Sequence, residues 1–276
     1  MKAFLRRAAP AILFVFCLSS PVSSATPEEI ARLSSSIGVS ELIEIVRDEG
    51  KGQAEELRES MFPDAPEARW SEAQAKIYDP SRLSDTFGRV FAGELAEAEI
   101  APLLEFFESE TGQKVIRLEI DARRAIMEPD VEQVAREVYL ERAVEGGPRL
   151  DLLDRFVEAN DLIEYNVMGA MNASLAFYRG LSDGGALDMT ESDMLREVWG
   201  QEQDIRQDSS EWLYGYMLMA YEPLGDGELQ KYIDISAGDQ GRLLNRALFA
   251  GFDAMFDEVS YALGRAAAGF MAGDDI

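Results

Sequence analysis

Residues 99–114 contain the side chains whose types and spacing come nearest to a binding site. Ser109, Gln113 and Lys114 bring a hydroxyl, an amide and an ammonium group close together in sequence, and such groups could hold an anion at the start of a helix. The favoured alternative is structural: Ser109 caps the helix and Gly112 lets two helices approach. The candidate binding residues are Phe106, Phe107, Ser109, Gly112, Gln113 and Lys114.

Catalytic chemistry has few candidates in this composition. Glu105 and Glu108 could act as the paired carboxylates of a glycoside hydrolase. In a chain with 52 acidic residues, however, such spacings arise constantly and usually mark a solvated helix face. The chain has no histidine, and its one cysteine is Cys17, which removes the commonest general base and the usual zinc ligands. We therefore expect no catalytic residue, no metal site, no cofactor and no enzymatic activity.

Two helices and a tight corner are expected to position the candidate residues. Ser109 interrupts an apolar run, and its hydroxyl is placed to cap a second helix that begins near Glu110. The preceding run has the three- and four-residue spacing of one helical face, and it consists of Ile100, Leu103, Leu104 and Phe107. The segment therefore predicts a helix, a corner over residues 109–112, and another helix that continues through Ile126.

The spelling Phe106-Phe107-x-Ser109-x-x-Gly112-Gln113-Lys114 resembles the hallmark of the bacterial domain of unknown function 2059 family. That family usually shows aromatic-Tyr-x-Ser-Pro-x-Gly-Gln-Lys after an acidic helix start. Here Phe107 stands where Tyr is usual and Glu110 where Pro is usual, while residues 96–99 fill the acidic start. The resemblance implies a helical, exported bacterial domain with no established activity.

The N-terminal residues 1–25 have the layout of a secretory signal peptide. Basic Lys2, Arg6 and Arg7 precede an apolar run over residues 11–18, and small residues follow at the expected cleavage site. The run is too short to span a bilayer comfortably, so cleavage is favoured over an uncleaved anchor. We therefore predict a periplasmic protein with no membrane span after cleavage, and one without a disulfide bond because Cys17 leaves with the signal.

The charge balance excludes one class of partner. The formal net charge is −26, and binding to nucleic acid or anionic lipid requires a positive face. We therefore expect no nucleic-acid partner. An envelope protein or a small apolar ligand is the expected partner, and the oligomeric state is left open.

Helical periodicity and capping signals run through the rest of the chain, with no alternating strand pattern. Thr26 with Pro27 marks a helix start, while Gly50 and Gly52 predict that the next helix is either broken there or weakly formed. The sequence predicts an all-α fold, an antiparallel helical bundle of two tandem units. The units are residues 26–146, which carry the motif, and residues 147–276, a degenerate copy.

An internal repeat supports the two units. A shift of 129 residues lays Trp70 on Trp199 and Gly112 on Gly241, and a shift of 110 lays residues 41–44 on 151–154. Chance is the alternative, because amphipathic helices align easily with one another. Trp70, Trp199 and Trp212 are predicted core residues. Three further polar residues near apolar stripes are buried polar contacts, pocket lining, or, as is more usual, stripe edges in solvent. These are Asn160, Glu164 and Glu202.

The predicted function is that of a non-enzymatic envelope protein, which binds a protein or a small ligand in an apolar groove between helices. One alternative is a carboxylate-based hydrolase of cell-wall material, which needs two acids converging in a cleft. Another is a structural, self-associating module, which needs a large exposed apolar patch.

Overall fold

A computed structural model describes residues 24–272. Within this range the protein is helical and has no β-strand, which confirms the predicted all-α fold. The helices are α1 (Pro27–Ser36), α2 (Val39–Met61), α3 (Glu67–Ile77), α4 (Pro80–Leu95), α5 (Ala101–Phe107), α6 (Glu110–Ala125), α7 (Pro129–Glu145), α8 (Pro148–Ala159), α9 (Leu162–Asp183), α10 (Glu191–Gly200), α11 (Glu202–Tyr221), α12 (Asp226–Ser236) and α13 (Asp239–Ala272). The predicted signal peptide, except for its last two positions, lies outside the described residues.

The first two helices show where local signals suffice and where packing overrides them. The Thr26 hydroxyl accepts from the Glu29 backbone N–H at 3.2 Å, and the Glu29 carboxylate accepts from the Thr26 N–H at 2.9 Å, so the predicted cap is confirmed as a capping box. The break predicted at Gly50 is wrong, because α2 continues to Met61. The Tyr78 hydroxyl donates to the Gly50 carbonyl at 2.8 Å, and this packing offsets the low helix propensity of glycine.

One hydrophobic core draws on both halves of the chain. Its buried side chains extend from Leu33 on α1 to Ala267 on α13. α4 of the first half packs against α13 of the second, whereas α11 of the second half packs against α6 and α7 of the first. The two predicted units thus share a core, and their division near residue 146, like the antiparallel arrangement, stays a prediction.

Glycines let the long helix α13 lie directly against α9. A Cβ atom on Gly180 would lie 2.3 Å from the Tyr261 carbonyl oxygen, and one on Gly264 would lie 2.2 Å from the Phe177 carbonyl oxygen. Both distances are shorter than a carbon and an oxygen atom can approach without a steric clash. The two backbones therefore meet where only glycine, which has no Cβ, fits. The crossing fixes α13, which also carries part of the candidate site.

Matching backbone geometry recurs at two helix corners. The Glu108 N–H donates to the Leu104 carbonyl at 2.9 Å, and the Ala237 N–H donates to the Ile233 carbonyl at 2.8 Å, which is the predicted separation of 129 residues. The corner between α1 and α2 instead recurs between α8 and α9 at 123 residues, where left-handed Gly38 corresponds to left-handed Asp161. This second register differs from the 110 that the sequence suggested.

The three tryptophans do not share one environment. Trp70 is fully buried and its ring packs edge-on against Phe62 and Phe270. Trp212 is partly buried and stacks on Tyr216. Trp199 is 59% exposed, so its prediction as a core residue is wrong. It lies near the end of α10, whose buried side chains are Met194 and Val198.

Candidate functional site

The corner between α5 and α6 is built by Ser109. Its hydroxyl donates to the Phe106 carbonyl at 2.6 Å and accepts from the Gly112 N–H at 3.1 Å. Serine thus caps α6 as predicted. A Cβ on Gly112 would lie 2.1 Å from the Phe106 carbonyl oxygen, so glycine is needed for the close helix approach. Gly241 has the same role in the second half, where a Cβ would lie 2.2 Å from the Ile235 carbonyl oxygen.

The polar groups after the corner are engaged within the protein. The Gln113 amide donates to the Ser36 carbonyl at 2.8 Å and to the Phe107 carbonyl at 2.6 Å, and so ties α6 to the end of α1. The Lys114 ammonium forms an ion pair with Glu228 on α12 at 2.8 Å. These contacts match the structural alternative, since both groups already have partners that an anion would have to replace.

The aromatic pair of the motif faces α12. The Phe106 ring stacks on Tyr232 with ring centroids 5.9 Å apart, and the Phe107 ring meets the same tyrosine edge-on at 6.3 Å. Phe107 is buried, and of the candidate binding residues it is the one that lines the pocket described next. The motif therefore supplies a wall of that pocket.

A pocket of about 100 Å³ lies behind the corner, between the two halves. We call it the central pocket. Its lining combines a mostly apolar wall with a few polar side chains, as is usual for small-molecule sites. The lining residues are Ile37, Leu42, Leu103, Phe107, Ile116, Glu119, Phe156, Asn160, Tyr232, Ile235, Ser236, Gly241, Leu244, Asn245 and Leu248.

Glu119 on α6 is the one carboxylate in this lining. Its Oε1 accepts a hydrogen bond from the Tyr221 hydroxyl at 2.6 Å, and the Tyr232 hydroxyl is directed at the same carboxyl. Burial raises the pKa of Glu119, and the two tyrosine hydrogen bonds act in the opposite direction. No lysine or arginine stands beside Glu119 in the lining of the central pocket.

Three tyrosines surround this carboxyl. The Tyr216 hydroxyl donates to the Glu119 backbone carbonyl at 3.1 Å, next to the Tyr221 and Tyr232 hydroxyls. Burial, followed by the nearby Glu119 charge, raises the pKa of all three tyrosines well above the ordinary value. They therefore stay protonated and act as hydrogen-bond donors over the whole physiological pH range.

Asn160 provides a second acceptor, which is more deeply buried than the partly buried Glu119. It is 4% exposed, and its Nδ2 donates to the Phe156 carbonyl at 3.0 Å. Its Oδ1 is buried without a hydrogen-bond partner. Buried side-chain oxygens in native proteins are normally satisfied, so this unpartnered acceptor is an unusual feature of a pocket-lining residue. Asn160 is thus a buried polar contact that also lines the central pocket, and it does not lie at a solvent-exposed stripe edge.

Glu119 is not among the residues predicted from the sequence, although the sequence carries a signal for it. Glu119 follows Val115 by four positions and Ile116 by three, and both of these are buried. A carboxylate within an apolar helical stripe is unusual and indicates a functional site or a compensating partner. The other two polar residues named in the sequence lie elsewhere, because Glu164 and Glu202 both pair with Arg206.

A larger groove of about 950 Å³ runs between α7 and α11. Its lining includes Val134 and Val138 on α7, which are 57% and 40% exposed, and Met219 on α11. A groove with these dimensions has room for a protein segment. Its lining selects no particular partner, so the predicted protein partner stays a prediction.

Among residues 24–272, no group of three or more Asp, Glu, His or Cys side chains is placed to hold a metal ion. No helix in the same range is both long enough and apolar enough to cross a membrane.

Residues 81–139 match the model of a family described as an uncharacterized protein conserved in bacteria, the domain of unknown function 2059. This match confirms the resemblance that the motif indicated. The matched segment runs from α4 into α7 and contains both the Ser109 corner and Glu119. No curated protein matches the chain, and no solved structure matches it.

Proposed function

We propose that this is an exported, non-enzymatic binding protein that takes a small molecule into the central pocket. The observation that carries the proposal is a pair of acceptors on an apolar wall, the Glu119 carboxyl and the unpartnered Asn160 Oδ1. Burial of Asn160 Oδ1 without a hydrogen-bond partner costs folding free energy, and the Glu119 carboxylate can accept further hydrogen bonds beside those from the tyrosines. A ligand that carries donors would complete these bonds, and its body would fill the apolar space.

The sequence of the N-terminal residues is the support for export. The basic, apolar and small-residue segments of residues 1–25 have the layout of a cleaved signal. Ser24 and Ala25 lie directly before the Thr26 cap of α1, so a cut after Ala25 leaves the capping residue at the new N-terminus. The periplasm is accordingly the compartment in which the ligand is to be sought.

Binding is favoured over hydrolysis at this site because of its carboxylates. A glycoside hydrolase of the usual kind needs two acids that flank the scissile bond, whereas the lining of the central pocket contains Glu119 alone. Asp253 and Asp257 on α13 do interact electrostatically, but neither residue lines the central pocket. The central pocket therefore lacks the second carboxylate that the hydrolase alternative needs.

The test is native mass spectrometry of the protein purified from the periplasm without refolding, together with a thermal-shift assay. We expect a co-purifying small molecule whose re-addition to the emptied protein raises Tm by linkage. The Leu248→Trp variant places a larger side chain in the central pocket and is expected to lose the bound mass.

Leu243→Trp is the matched control, because Leu243 is a partly buried leucine of the same helix outside the pocket lining. It should keep the bound molecule. An empty wild-type protein whose Tm is unmoved by periplasmic extract would overturn the proposal, and so would equal loading of the two tryptophan variants.

A further inference from the structure

We infer that the ligand of the central pocket is a small organic cation, whose ammonium group lies between the Glu119 carboxylate and Asn160 Oδ1. This inference rests on the proposed function and adds the chemical class of the ligand. It follows from two hydrogen-bond acceptors that the two halves of the protein bring to the central pocket, Glu119 and Asn160, and from the absence of a lysine or arginine in the pocket lining.

No lysine or arginine lines the central pocket beside Glu119. Arg123, one helical turn further along α6, pairs with Glu49 through Nη2 and lies over the Trp212 ring with its Cζ 5.0 Å from the centroid, while its Nη1 is buried without a hydrogen-bond partner. Glu119 is partly buried, and carboxylates withdrawn from water are normally paired with a cation or protonated. A cation bound in the central pocket would supply that partner.

The orientation of Asn160 is fixed by its neighbour. The Phe156 carbonyl can only accept, so the Asn160 group at 3.0 Å from it must be the amide nitrogen. The Oδ1 atom is therefore an acceptor that needs a donor. Glu119 and Asn160 come from different halves of the chain yet line the same pocket. An ammonium group has three N–H donors and can serve both of them, whereas a hydroxyl has one.

The remaining walls suit the body of an organic cation better than a bare metal ion. Phe107, Phe156 and Tyr232 present aromatic rings to the pocket, and such rings attract organic cations through their π faces. Leu103, Leu244 and Ile235 contribute aliphatic surface. An inorganic cation would need several oxygen ligands instead. The net charge of −26 also favours the approach of cations over anions.

The experiment is isothermal titration calorimetry of the wild-type protein, emptied of any co-purifying molecule, with n-butylammonium, n-butanol and butyrate. These probes share an aliphatic chain and differ in the head group. We expect n-butylammonium to bind at least about tenfold more tightly than n-butanol, because it gains a charge-assisted hydrogen bond. We expect butyrate not to bind, since it would face Glu119 with the same sign of charge.

Glu119→Gln keeps the shape of the side chain and removes its charge, and it should weaken n-butylammonium binding by at least about tenfold. Asp121→Asn removes an equal charge from an exposed position of α6 and should leave binding unchanged. Circular dichroism and Tm establish that both variants are folded. Asn160→Leu, a second variant, should weaken the ammonium probe while leaving n-butanol little affected.

The outcomes separate this inference from the proposed function. Equal binding of n-butanol and n-butylammonium would overturn the inference that the ligand is a cation, and so would a co-purifying ligand without a cationic group. Either result would leave the central pocket as a binding site. Unchanged ammonium binding in Glu119→Gln would also overturn it. Failure of all three probes, together with a protein that carries no co-purifying molecule, would overturn the proposed function as well.

Discussion

Single residues determine the helix corners of this protein. The Ser109 hydroxyl caps α6 by accepting a hydrogen bond from the Gly112 N–H. Gly112 has no Cβ, and a Cβ at this position would collide with the preceding helix. The second half keeps only the glycine, Gly241, at the same place. The glycine is therefore the part of the motif that the corner requires.

Gly112→Ala is expected to lower the free energy of unfolding by about 2 kcal/mol, since its Cβ would overlap the Phe106 carbonyl oxygen and force the backbone to move. Urea denaturation followed by circular dichroism measures the change. Gly88→Ala on α4 is the control, because a Cβ at that position meets open space and should stabilise by roughly 0.5 to 1 kcal/mol through helix propensity. Identical midpoints for the two variants would contradict this account of the corner.

At the scale of elements, the contact between α9 and α13 is set by small residues and by a half-buried acid. A Cβ on Gly169 of α9 would lie 2.8 Å from Asp253 Oδ1 on α13, so the carboxyl is held against the neighbouring helix. Burial, and secondarily the charge of Asp257, raises the pKa of Asp253 to about 6. Burial also raises the pKa of Asp257, which Arg179 partly counteracts.

This interface should therefore make stability depend on pH. The folded pKa of Asp253 lies above the ordinary aspartate value of 3.8, so its protonated form is favoured in the folded state. Its contribution to stability is full at low pH and is lost as pH rises through about 6. Asp253→Asn should remove this loss and raise stability at pH 7 by on the order of 1 kcal/mol, a figure reduced for solvent screening.

Urea titrations between pH 4 and pH 8, values chosen to bracket the raised pKa, measure the effect. Asp188→Asn, a change of the same type at an exposed loop position, should follow the wild-type pH profile. A wild-type profile that stays flat over this interval, or an Asp253→Asn variant that parallels it, would show that the interface does not hold the carboxyl as described.

At the scale of the whole molecule, the shared core joins the halves that the repeat suggests. Helices α4 and α11 each pack onto the other half, so neither half can bury its apolar surface alone. The central pocket lies where the halves meet. It depends on both of them, since Glu119 comes from one and Asn160 from the other.

The protein should accordingly unfold as one unit. Single-tryptophan variants that keep only Trp70 or only Trp212 report on the first and second half, respectively. We expect their urea midpoints, each compared with circular dichroism of the same variant, to coincide as in a two-state transition. Residues 26–146 and residues 147–276 expressed separately should not fold cooperatively. Two separate midpoints in full-length protein would instead indicate independent units.

The sequence by itself determined the local structure and the family signal. Helical periodicity gave the all-α class, Thr26 and Ser109 gave two caps, and the motif gave the family match of residues 81–139. These features depend on neighbours within a few positions, where side-chain hydrogen bonding and steric fit act directly on the backbone.

Only the tertiary structure decided which side chains are buried and which residues from distant parts of the sequence line the same pocket. Trp70 and Trp199 occupy matching positions of the predicted repeat, yet one is buried and the other exposed. Glu119 and Asn160 are far apart in sequence and come together through packing of α6, α8 and α12 around the central pocket. Helical periodicity shows that a face is apolar, but it does not show which distant face will cover it. The candidate site exists because of that pairing.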